Sequence, residues 1–459
     1  MQDSLDFGTR PFHFIGIGGI GMSAIAHVLA KQGYRVTGSD LSRNRVIEQL
    51  EAIGVAVYQG QTADNIAVAE QPQVVYSSAI KPNNPELQTA IQQNLTLWHR
   101  SDLLARLINR YHSVAISGTH GKTTTSSLTA FLLLHGGLDP TIIIGGEVAA
   151  WQGNARLGAS KYLVAEADES DGSFTKFYPH IGVVTNIELD HPDHYNSLDQ
   201  VIGTFQQFGQ NCQVLVSCWD CPNTKQYLNG QVSYSLCDPS ADYTVQDVVY
   251  GGTGTHAVVV ERGQVLGEIR LSLLGKHNLS NALAAIAVAR YLNIAWQSIS
   301  DALPQFKGAK RRFEVKGEVA GFTLVDDYAH HPSEVQATLS AAKLQRRRVV
   351  AVFQPHRYSR TQALLSEFAT AFASADVVVI TEIYGAGEIK IANLSGQLLA
   401  DKIAEHHPKV YFQPDLSSLG QFLCQLLRAG DLVVFLSAGN LNQVISPTME
   451  RLRQCWNAP

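Results

Sequence analysis

The stretch GTHGKTTT, Gly118 to Thr125, lies between the apolar segment HSVAIS and a helical pattern. A glycine turn at such a junction presents backbone N–H groups and the positive end of a helix dipole to a phosphate. The usual phosphate loop, G-x-x-x-x-G-K-[ST], needs a glycine at position 116, which here is Ile116. The stretch therefore predicts a compressed phosphate loop, with Lys122 on the β- and γ-phosphates and Thr123 on Mg²⁺.

Strand and helix patterns alternate on both sides of this loop. Apolar strands are predicted at residues 12–17 and 74–80 before it, and in TLVDD, VVAVF, DVVVI and DLVVF after it. This alternation predicts parallel sheets, and 459 residues exceed what one core needs. The predicted fold is α/β with three domains, each with a largely parallel sheet. They are a Rossmann-like domain (1–105), a P-loop ATPase-like domain (106–314) and a second Rossmann-like domain (315–459).

A second glycine loop, GIGGIG, follows the first predicted strand. Gly16, Gly18 and Gly21 fit G-x-G-x-x-G, and Asp40 lies 19 residues after Gly21 at the end of the second strand. Such glycines let a backbone approach a pyrophosphate, and the acid accepts hydrogen bonds from a ribose. The pattern alone does not separate NAD from other nucleotide diphosphates.

Acids and a histidine follow two central strands. Glu166 ends KYLVAE, and Asp190 and His191 come after GVVTN. Ligands of α/β sheets bind at strand carboxyl ends, so these groups beside a phosphate loop predict a metal site. Simple strand capping is the alternative for Glu166 and His191, and His194 is expected at the surface.

Two arginines stand three residues apart in QPHRYSRT. Arg357 and Arg360 on one helical turn would project together and could bind a free α-carboxylate. Solvation of a helix face is the alternative. His330, before Pro332, is either a proton acceptor or a helix cap.

Composition narrows the function classes. The net charge of −5 and pI near 6.3 argue against a nucleic-acid partner. Acids near the start argue against a signal peptide, and no apolar run reaches 18 residues, so no membrane partner is expected. Six cysteines in a chain this long predict a reducing, cytoplasmic location. Cys218 and Cys221 lack a second pair, which favours a structural role over a zinc site.

Seven motifs occur in order over about residues 10 to 445. They are GTHGKTTT, EADESDGSF, TNIELDH, GKHNLSNALAA, RRFE, DDYAHHPSEV and FQPHRYSRT. Together they resemble the Mur ligase family. The resemblance implies an ATP-dependent ligase that joins L-alanine to UDP-N-acetylmuramate through an acyl phosphate, with Mg²⁺ required. A monomer or weak homodimer is expected.

The resemblance also implies a role for each matched position. The catalytic residues would be Lys122, His330, Arg357 and Arg360. ATP would be bound by Gly118, Thr119, His120, Gly121, Lys122, Thr123, Thr124, Asn278, Asn281 and Arg312. The UDP-sugar would be bound by Gly16, Gly18, Gly19, Gly21, Asp40, Ser77 and Ser78. L-alanine would be bound by Tyr328, His356, Arg357 and Arg360. The metal would be held by Thr123, Glu166 and His191, with Asp168 and Glu169 as weaker candidates.

Sister ligases that add later amino acids use a carbamylated lysine after the histidine. This chain has no lysine between His191 and Lys225, which excludes that bridge and agrees with the alanine-adding branch. The nearest alternative is a recycling ligase that joins a tripeptide to the same UDP-sugar. A nicotinamide-dependent dehydrogenase would leave GTHGKTTT unexplained, and a P-loop switch protein would leave GIGGIG unexplained.

Overall fold

A computed structural model describes residues 7–456 of the chain. Asp3 and Asp6, the acids that argue against a signal peptide, lie outside this range. The chain forms three sheets in succession, each largely parallel, as the alternating pattern predicts. In the described part of the chain, no helix is long and apolar enough to cross a membrane.

The first sheet is wholly parallel and has the strand order β3-β2-β1-β4-β5. This is the Rossmann order, in which β1 and β4 are neighbours at the point where the chain reverses direction across the sheet. The strands are β1 (Phe12–Ile15), β2 (Val36–Asp40), β3 (Ala56–Gln59), β4 (Gln73–Tyr76) and β5 (Leu97–His99). The helices are α1 (Ile20–Lys31), α2 (Arg45–Glu51), α3 (Ala63–Val68), α4 (Pro85–Gln92) and α5 (Arg100–Arg110).

Two predicted strands of this sheet end early. The first stops at Ile15 because Gly16 turns with a φ of 77°, and the fourth stops at Tyr76. Beyond Tyr76 the hydroxyl of Ser78 hydrogen bonds to Asp171 of the central domain at 3.1 Å. The chain segments after β1 and β4 therefore both lie at the carboxyl edge of the sheet.

The central sheet has the order β15-β14-β13-β12-β11-β10-β6-β9-β7-β8. Its middle is parallel, from β13 through β10, β6 and β9 to β7. The strands are β6 (His112–Ser117), β7 (Thr141–Val148), β8 (Gly153–Arg156), β9 (Tyr162–Glu166), β10 (Ile181–Val184), β11 (Val214–Cys218), β12 (Val232–Tyr234), β13 (Tyr243–Gly251), β14 (Gly254–Glu261) and β15 (Gln264–Leu271). The helices are α6 (Lys122–His135), α7 (Leu198–Asn211), α8 (Pro222–Tyr227), α9 (Lys276–Tyr291) and α10 (Trp296–Ala302).

The strand patterns above did not predict the antiparallel part of this sheet. β13, β14 and β15 form a meander, and β7 pairs antiparallel with β8. Residues 243–271 mix exposed and buried positions, with bulges in both pairings. Antiparallel strands with one partly exposed face lack the continuous apolar runs that mark parallel strands, so the sequence signal is weak there.

The third sheet has the order β16-β17-β21-β18-β19-β20, with only the β16–β17 pair antiparallel among its described strands. Its strands are β16 (Glu314–Val319), β17 (Phe322–Asp327), β18 (Val349–Phe353), β19 (Val377–Ile380), β20 (Val410–Phe412) and β21 (Leu432–Leu436). Its helices are α11 (Pro332–Lys343), α12 (Tyr358–Ala363), α13 (Leu365–Thr370), α14 (Gly396–Ala404), α15 (Leu419–Leu426) and α16 (Ile445–Trp456).

One of the two predicted domain boundaries falls within a helix, and the other falls at the start of a strand. Position 105 lies inside α5, and position 314 is the first residue of β16. A buried apolar cluster continues from the first sheet into the central domain, through residues such as Leu107, Leu163 and Phe205. Among the described residues, the fully buried members of the C-terminal clusters all follow residue 318. The third domain thus has a core of its own.

Candidate functional site

A cavity of about 630 Å³ lies where the three domains meet. The first domain contributes Gly21 and Arg100, the central domain Lys122, and the C-terminal domain Tyr328 and His330. These residues follow the carboxyl ends of strands in three different sheets. Groups from the predicted sugar-nucleotide, ATP and amino-acid sites therefore share one space.

The predicted phosphate loop contains two glycines that are closely approached by side chains from other parts of the central domain. Gly118 and Gly121 have φ values of 133° and 82°, which side chains rarely adopt. A Cβ on Gly118 would overlap the Thr185 hydroxyl, and one on Gly121 would lie 2.5 Å from Asn281 Oδ1. The loop thus packs directly against the start of α9, which carries the predicted nucleotide contacts.

Lys122 points back over the loop toward acids that follow β9. Its Nζ donates to the carbonyl of Gly118 at 2.8 Å and lies 2.7 Å from Glu169 Oε2. Burial alone would lower the pKa of Lys122, but the carboxylates of Glu169 and Asp168 outweigh it and raise the pKa above its usual value. Lys122 is therefore a fixed cation at the predicted phosphate position.

His120, predicted only to bind ATP, supplies a second positive charge in the same loop. Its Nε2 lies 3.4 Å from Glu188 and its Nδ1 lies 3.3 Å from Glu334 of α11. Burial disfavours the charged form, yet these two carboxylates prevail and raise the pKa of His120 to about 10. The imidazolium links the central domain to the C-terminal one.

A smaller cavity of about 230 Å³ opens behind the loop. Most of the predicted ATP residues line it, and Arg312 lines both cavities. His277 and Asp327 also line it; both lie inside motifs quoted above, but no role was predicted for either. Thr119 lines the larger cavity instead, and its hydroxyl accepts a hydrogen bond from Glu188 N at 2.9 Å. The predicted ATP residues in the smaller cavity's lining are His120, Gly121, Thr124, Asn278, Asn281 and Arg312.

The predicted metal ligands all line the larger cavity, but they do not form a single group of neighbouring ligand atoms. Thr123, Glu166 and His191 all line it, while Glu166 accepts a hydrogen bond from Gly145 N at 3.0 Å. Among the described residues, two groups have ligand atoms within 4.8 Å of one another: Asp168, Glu169 and His191, and His120, Glu188 and His331. A carboxylate-rich set beside a phosphate loop suits Mg²⁺. The weaker candidates of the sequence analysis are thus the ones that lie together with His191.

Asp40 and the GIGGIG loop are joined by backbone hydrogen bonds. Asp40 Oδ2 accepts from Gly18 N at 2.9 Å and Oδ1 accepts from Ser42 N at 3.1 Å. A carboxylate has lone pairs beyond these two, so the bonds leave capacity for a ribose. Gly19 precedes the first residue of α1, which directs the helix N-terminus at the loop.

The other predicted sugar residues flank the same crevice. Gly16 follows β1, and Ser77 and Ser78 follow β4, on the two sides of the β1–β4 switch point. Arg100, at the start of α5, packs against Gly21 and lies 3.9 Å from Asp168. No motif drew attention to Arg100, because a single arginine before a helix carries no sequence signal.

The predicted amino-acid residues meet at the carboxyl edge of the third sheet. Tyr328 and His330 follow β17, with ring centroids 5.3 Å apart, and His356 follows β18 at 5.9 Å from His330. Arg360 Nη1 lies 3.3 Å from His356 Nδ1. The prediction of one helical turn is wrong for Arg357, which precedes α12 with a φ of 70°.

Both arginines contact acids of the central domain. Arg357 Nη1 donates to Asp193 at 2.7 Å, and Arg360 donates through Nε and Nη2 to Asp190 at 2.9 and 3.3 Å. Arg360 is buried, so the alternative in which it solvates a helix face is wrong for this residue. His194 on the same loop is exposed, as predicted.

His330 has a defined tautomer. Its Nδ1 lies 2.9 Å from the carbonyl oxygen of Tyr328, which can only accept, so Nδ1 carries the proton and Nε2 the lone pair. Burial lowers the pKa of His330 to about 4, against the opposing charge of Glu334. His330 is thus a neutral and weak base at pH 7.

The two cysteines lie at the end of a strand and in the turn that follows it. Cys218 ends β11 and is buried, and the Cys221 sulfur accepts a hydrogen bond from Ile187 N at 3.4 Å. Within residues 7–456, the clusters with metal-binding geometry contain histidine and acids but no cysteine.

Known proteins resemble this chain along nearly its whole length. Three family models match in succession: Mur ligase family, catalytic domain (residues 11–112), Mur ligase middle domain (116–289), and Mur ligase, glutamate ligase domain (311–439). A UDP-N-acetylmuramate–L-alanine ligase of Cyanothece sp. strain PCC 7425 is 56% identical, covering 98% of this chain and 97% of its own.

Solved structures agree in fold. The UDP-N-acetylmuramate-alanine ligase of Thermotoga maritima superposes with a TM-score of 0.83 at 29% identity, covering 97% of this chain and 99% of its own. A murein peptide ligase of Psychrobacter arcticus gives a TM-score of 0.72 at 23% identity, over 97% and 99% of the two chains, and shows the fold alone. With three successive domain matches and a relative at 56% identity, the chain belongs to the Mur ligase family.

Proposed function

We propose that the chain is an ATP-dependent ligase that joins L-alanine to UDP-N-acetylmuramate in peptidoglycan precursor synthesis. The observation that carries the proposal is the shared cavity of about 630 Å³, to which each of the three domains contributes. A ligase of this kind must bring a carboxylate, a triphosphate and an amine together. Relatives at 56% identity carry the name of this activity.

The first domain binds the sugar nucleotide in this proposal. The diphosphate lies at the GIGGIG loop and the N-terminus of α1, with Asp40 toward the ribose and Ser77 and Ser78 across the crevice. Arg100 stands between this loop and the acids after β9, where it can neutralise an anionic substrate group. The lactyl carboxylate then points at the phosphate loop.

The central domain binds ATP with its triphosphate along GTHGKTTT. Two unit charges about 4 Å apart repel by roughly 4 kcal/mol at an effective dielectric near 20, so carboxylate attack on the γ-phosphate needs nearby cations. Lys122 and the His120 imidazolium provide two of them, and Arg312, which lines both cavities, provides a third. Charge on the transferred phosphoryl group is stabilised by the same residues.

Magnesium fits the acids beside this loop. Thr123, Glu166 and His191, with Asp168 and Glu169, are the residues that would hold it. When bound, Mg²⁺ neutralises phosphate charge and orients the γ-phosphate for in-line transfer. The lone pair of His191 is available for this role because burial lowers the pKa of its imidazole and keeps it neutral.

The C-terminal domain receives L-alanine. Arg357 and Arg360 bind its carboxylate, with Tyr328 and His356 beside them. The amine, once deprotonated, attacks the acyl phosphate, and phosphate leaves from a tetrahedral intermediate. His330 Nε2 is the nearby proton acceptor in this proposal, although its low pKa makes it a weak base.

The domain limits 1–105, 106–314 and 315–459, the cytoplasmic location and the monomer or weak homodimer state belong to the same proposal. Nucleic-acid and membrane partners are not part of it.

One assay tests the function and separates it from the recycling ligase. The protein is mixed with ATP, Mg²⁺ and UDP-N-acetylmuramate, and phosphate release is followed with different amines. L-alanine-dependent release is expected. Release only with a tripeptide would establish the alternative, and release without sugar or amine would indicate a plain nucleotidase.

A further inference from the structure

The two arginines of the amino-acid site are each paired with a carboxylate of one central-domain loop. Asp190 and Asp193 lie three residues apart, on either side of His191, and meet Arg360 and Arg357 respectively. In the proposed function the same arginines must bind the carboxylate of L-alanine. The loop therefore presents protein carboxylates to the groups that bind the substrate carboxylate.

The two pairs differ in burial and in geometry. The Asp190 and Arg360 side chains are 5% and 4% exposed, and the carboxylate accepts from Nε at 2.9 Å and from Nη2 at 3.3 Å. The Asp193 and Arg357 side chains are 46% and 33% exposed and share one hydrogen bond of 2.7 Å. A buried two-point pair is costly to break, whereas an exposed one-point pair exchanges readily.

Asp190 also controls the direction of the Arg360 fork. Together with the contact to His356, its two bonds involve three of the five N–H groups of the guanidinium. Nη1 and Nη2 each carry a second N–H group, and the two together can donate to a substrate carboxylate. Asp190 Oδ1 further accepts from His191 N at 2.7 Å, which ties Arg360 to the loop of the predicted metal site.

The backbone on both sides of the interface is held in an uncommon conformation. His191 and Arg357 have φ values of 55° and 70°, in a region that residues with side chains rarely occupy. Such conformations persist only where surrounding contacts determine them, and they cluster at functional sites. The ion pairs between the loop and α12 are contacts of that kind.

We propose that the two acids have opposite roles at the amino-acid site. Asp190 is a positioning residue that keeps Arg360 oriented toward the substrate carboxylate. Asp193 is an internal substitute for that carboxylate at Arg357, and the incoming amino acid displaces it. The inference rests on the proposed function, since it needs an amino-acid substrate.

Two matched Asp→Asn variants on one loop test this, with alanine KM measured at saturating ATP, Mg²⁺ and UDP-N-acetylmuramate. Asp193→Asn removes a competitor, so alanine KM falls about two- to fivefold, the scale of an exposed ion pair. Asp190→Asn loosens Arg360, so alanine KM rises about tenfold or more. The KM for ATP stays within about twofold in both variants, which a general loss of structure would not produce.

Asp199→Asn is the charge control, because Asp199 is an exposed acid in the first turn of α7. It leaves alanine KM unchanged. If Asp190→Asn does not fold, Asp190→Glu keeps the charge, moves the carboxylate by one methylene, and still raises alanine KM.

An unchanged or higher alanine KM in Asp193→Asn overturns the displacement, and an unchanged KM in the folded Asp190 variant overturns the positioning role. A wild-type protein that releases no phosphate with L-alanine contradicts the proposed function instead, so the two failures are distinct.

Discussion

The chain contains two glycine loops that look alike and are charged differently. GIGGIG connects β1 to α1, and GTHGKTTT connects β6 to α6, each at the carboxyl end of a parallel strand. Both direct a helix N-terminus at an expected phosphate group. The backbone device is therefore the same in the two domains.

The difference lies in the side chains around each loop. The first loop has no charged residue of its own, and its nearest anchors are Asp40 on Gly18 N and Arg100 beside Gly21. The second contains Lys122 and the charged His120. Backbone N–H groups suffice to bind a diphosphate that does not react, but transfer of a phosphoryl group needs cations that stabilise developing charge.

Removing the loop lysine is expected to have the largest effect. Lys122→Ala lowers kcat by about a thousandfold, because one preorganised charge at the reacting phosphate is lost. Binding of UDP-N-acetylmuramate, measured by calorimetry, stays the same. Lys225→Ala, which breaks a surface pair with Asp238, is the control and keeps full activity. A Lys122→Ala protein with more than a tenth of the wild-type rate would contradict this role.

Filling the second loop is expected to have the next largest effect. Gly121→Ala pushes a methyl toward Asn281 Oδ1, so ATP KM rises about a hundredfold, as displacements near a reacting group do. Gly137→Ala is the control, because Gly137 has nearly the same φ (77° against 82° for Gly121). A Cβ at Gly137 would have no atom within 4 Å. The left-handed backbone costs both variants about 1 kcal/mol of stability, and only Gly121→Ala also has the contact with Asn281 and loses ATP affinity. Equal ATP KM values for the two would show that loop shape is unimportant.

Substitution of Arg100 tests whether a residue outside the first loop supplies the positive charge for its ligand. Arg100→Ala raises the KM for UDP-N-acetylmuramate about tenfold, the loss of one charge-assisted hydrogen bond, while ATP KM is unchanged. Arg106→Ala on the same helix removes a cation–π contact with Trp98 and serves as the control. A larger change in ATP KM than in sugar KM would assign Arg100 to the second loop.

The smallest expected effect concerns pH. Burial, with Arg312 nearby, lowers the pKa of His277 behind the second loop to about 4 from 6.5. The unfolded chain therefore binds a proton that the folded chain does not, so stability present above pH 6.5 is lost as the pH falls toward 4. The loss between pH 6.5 and 5 is about 1.6 kcal/mol, and His277→Asn removes it, as measured by thermal melting. His256→Asn, at an exposed site, leaves the pH profile of the wild type, and an equally steep profile for His277→Asn would contradict the assignment.

Sequence patterns predicted the structure correctly where the pattern lies within a single strand or a single turn. Parallel strands are buried on both faces and read as continuous apolar runs, so β6, β10, β18 and β21 were predictable. The glycine loops were visible because a sharp turn between a strand and a helix restricts residue type. The antiparallel β13–β15 meander lacks both signals and was missed.

The sequence alone thus determined the α/β fold class, the two glycine loops and the polar groups at strand ends, since each depends on local spacing. The tertiary structure decided which charges meet. His120 lies between Glu188 and Glu334, Arg100 reaches Gly21, and two aspartates meet two arginines from another domain. The energy of such pairs depends on distance and burial across domains, and neither quantity is encoded in the spacing of residues along the chain.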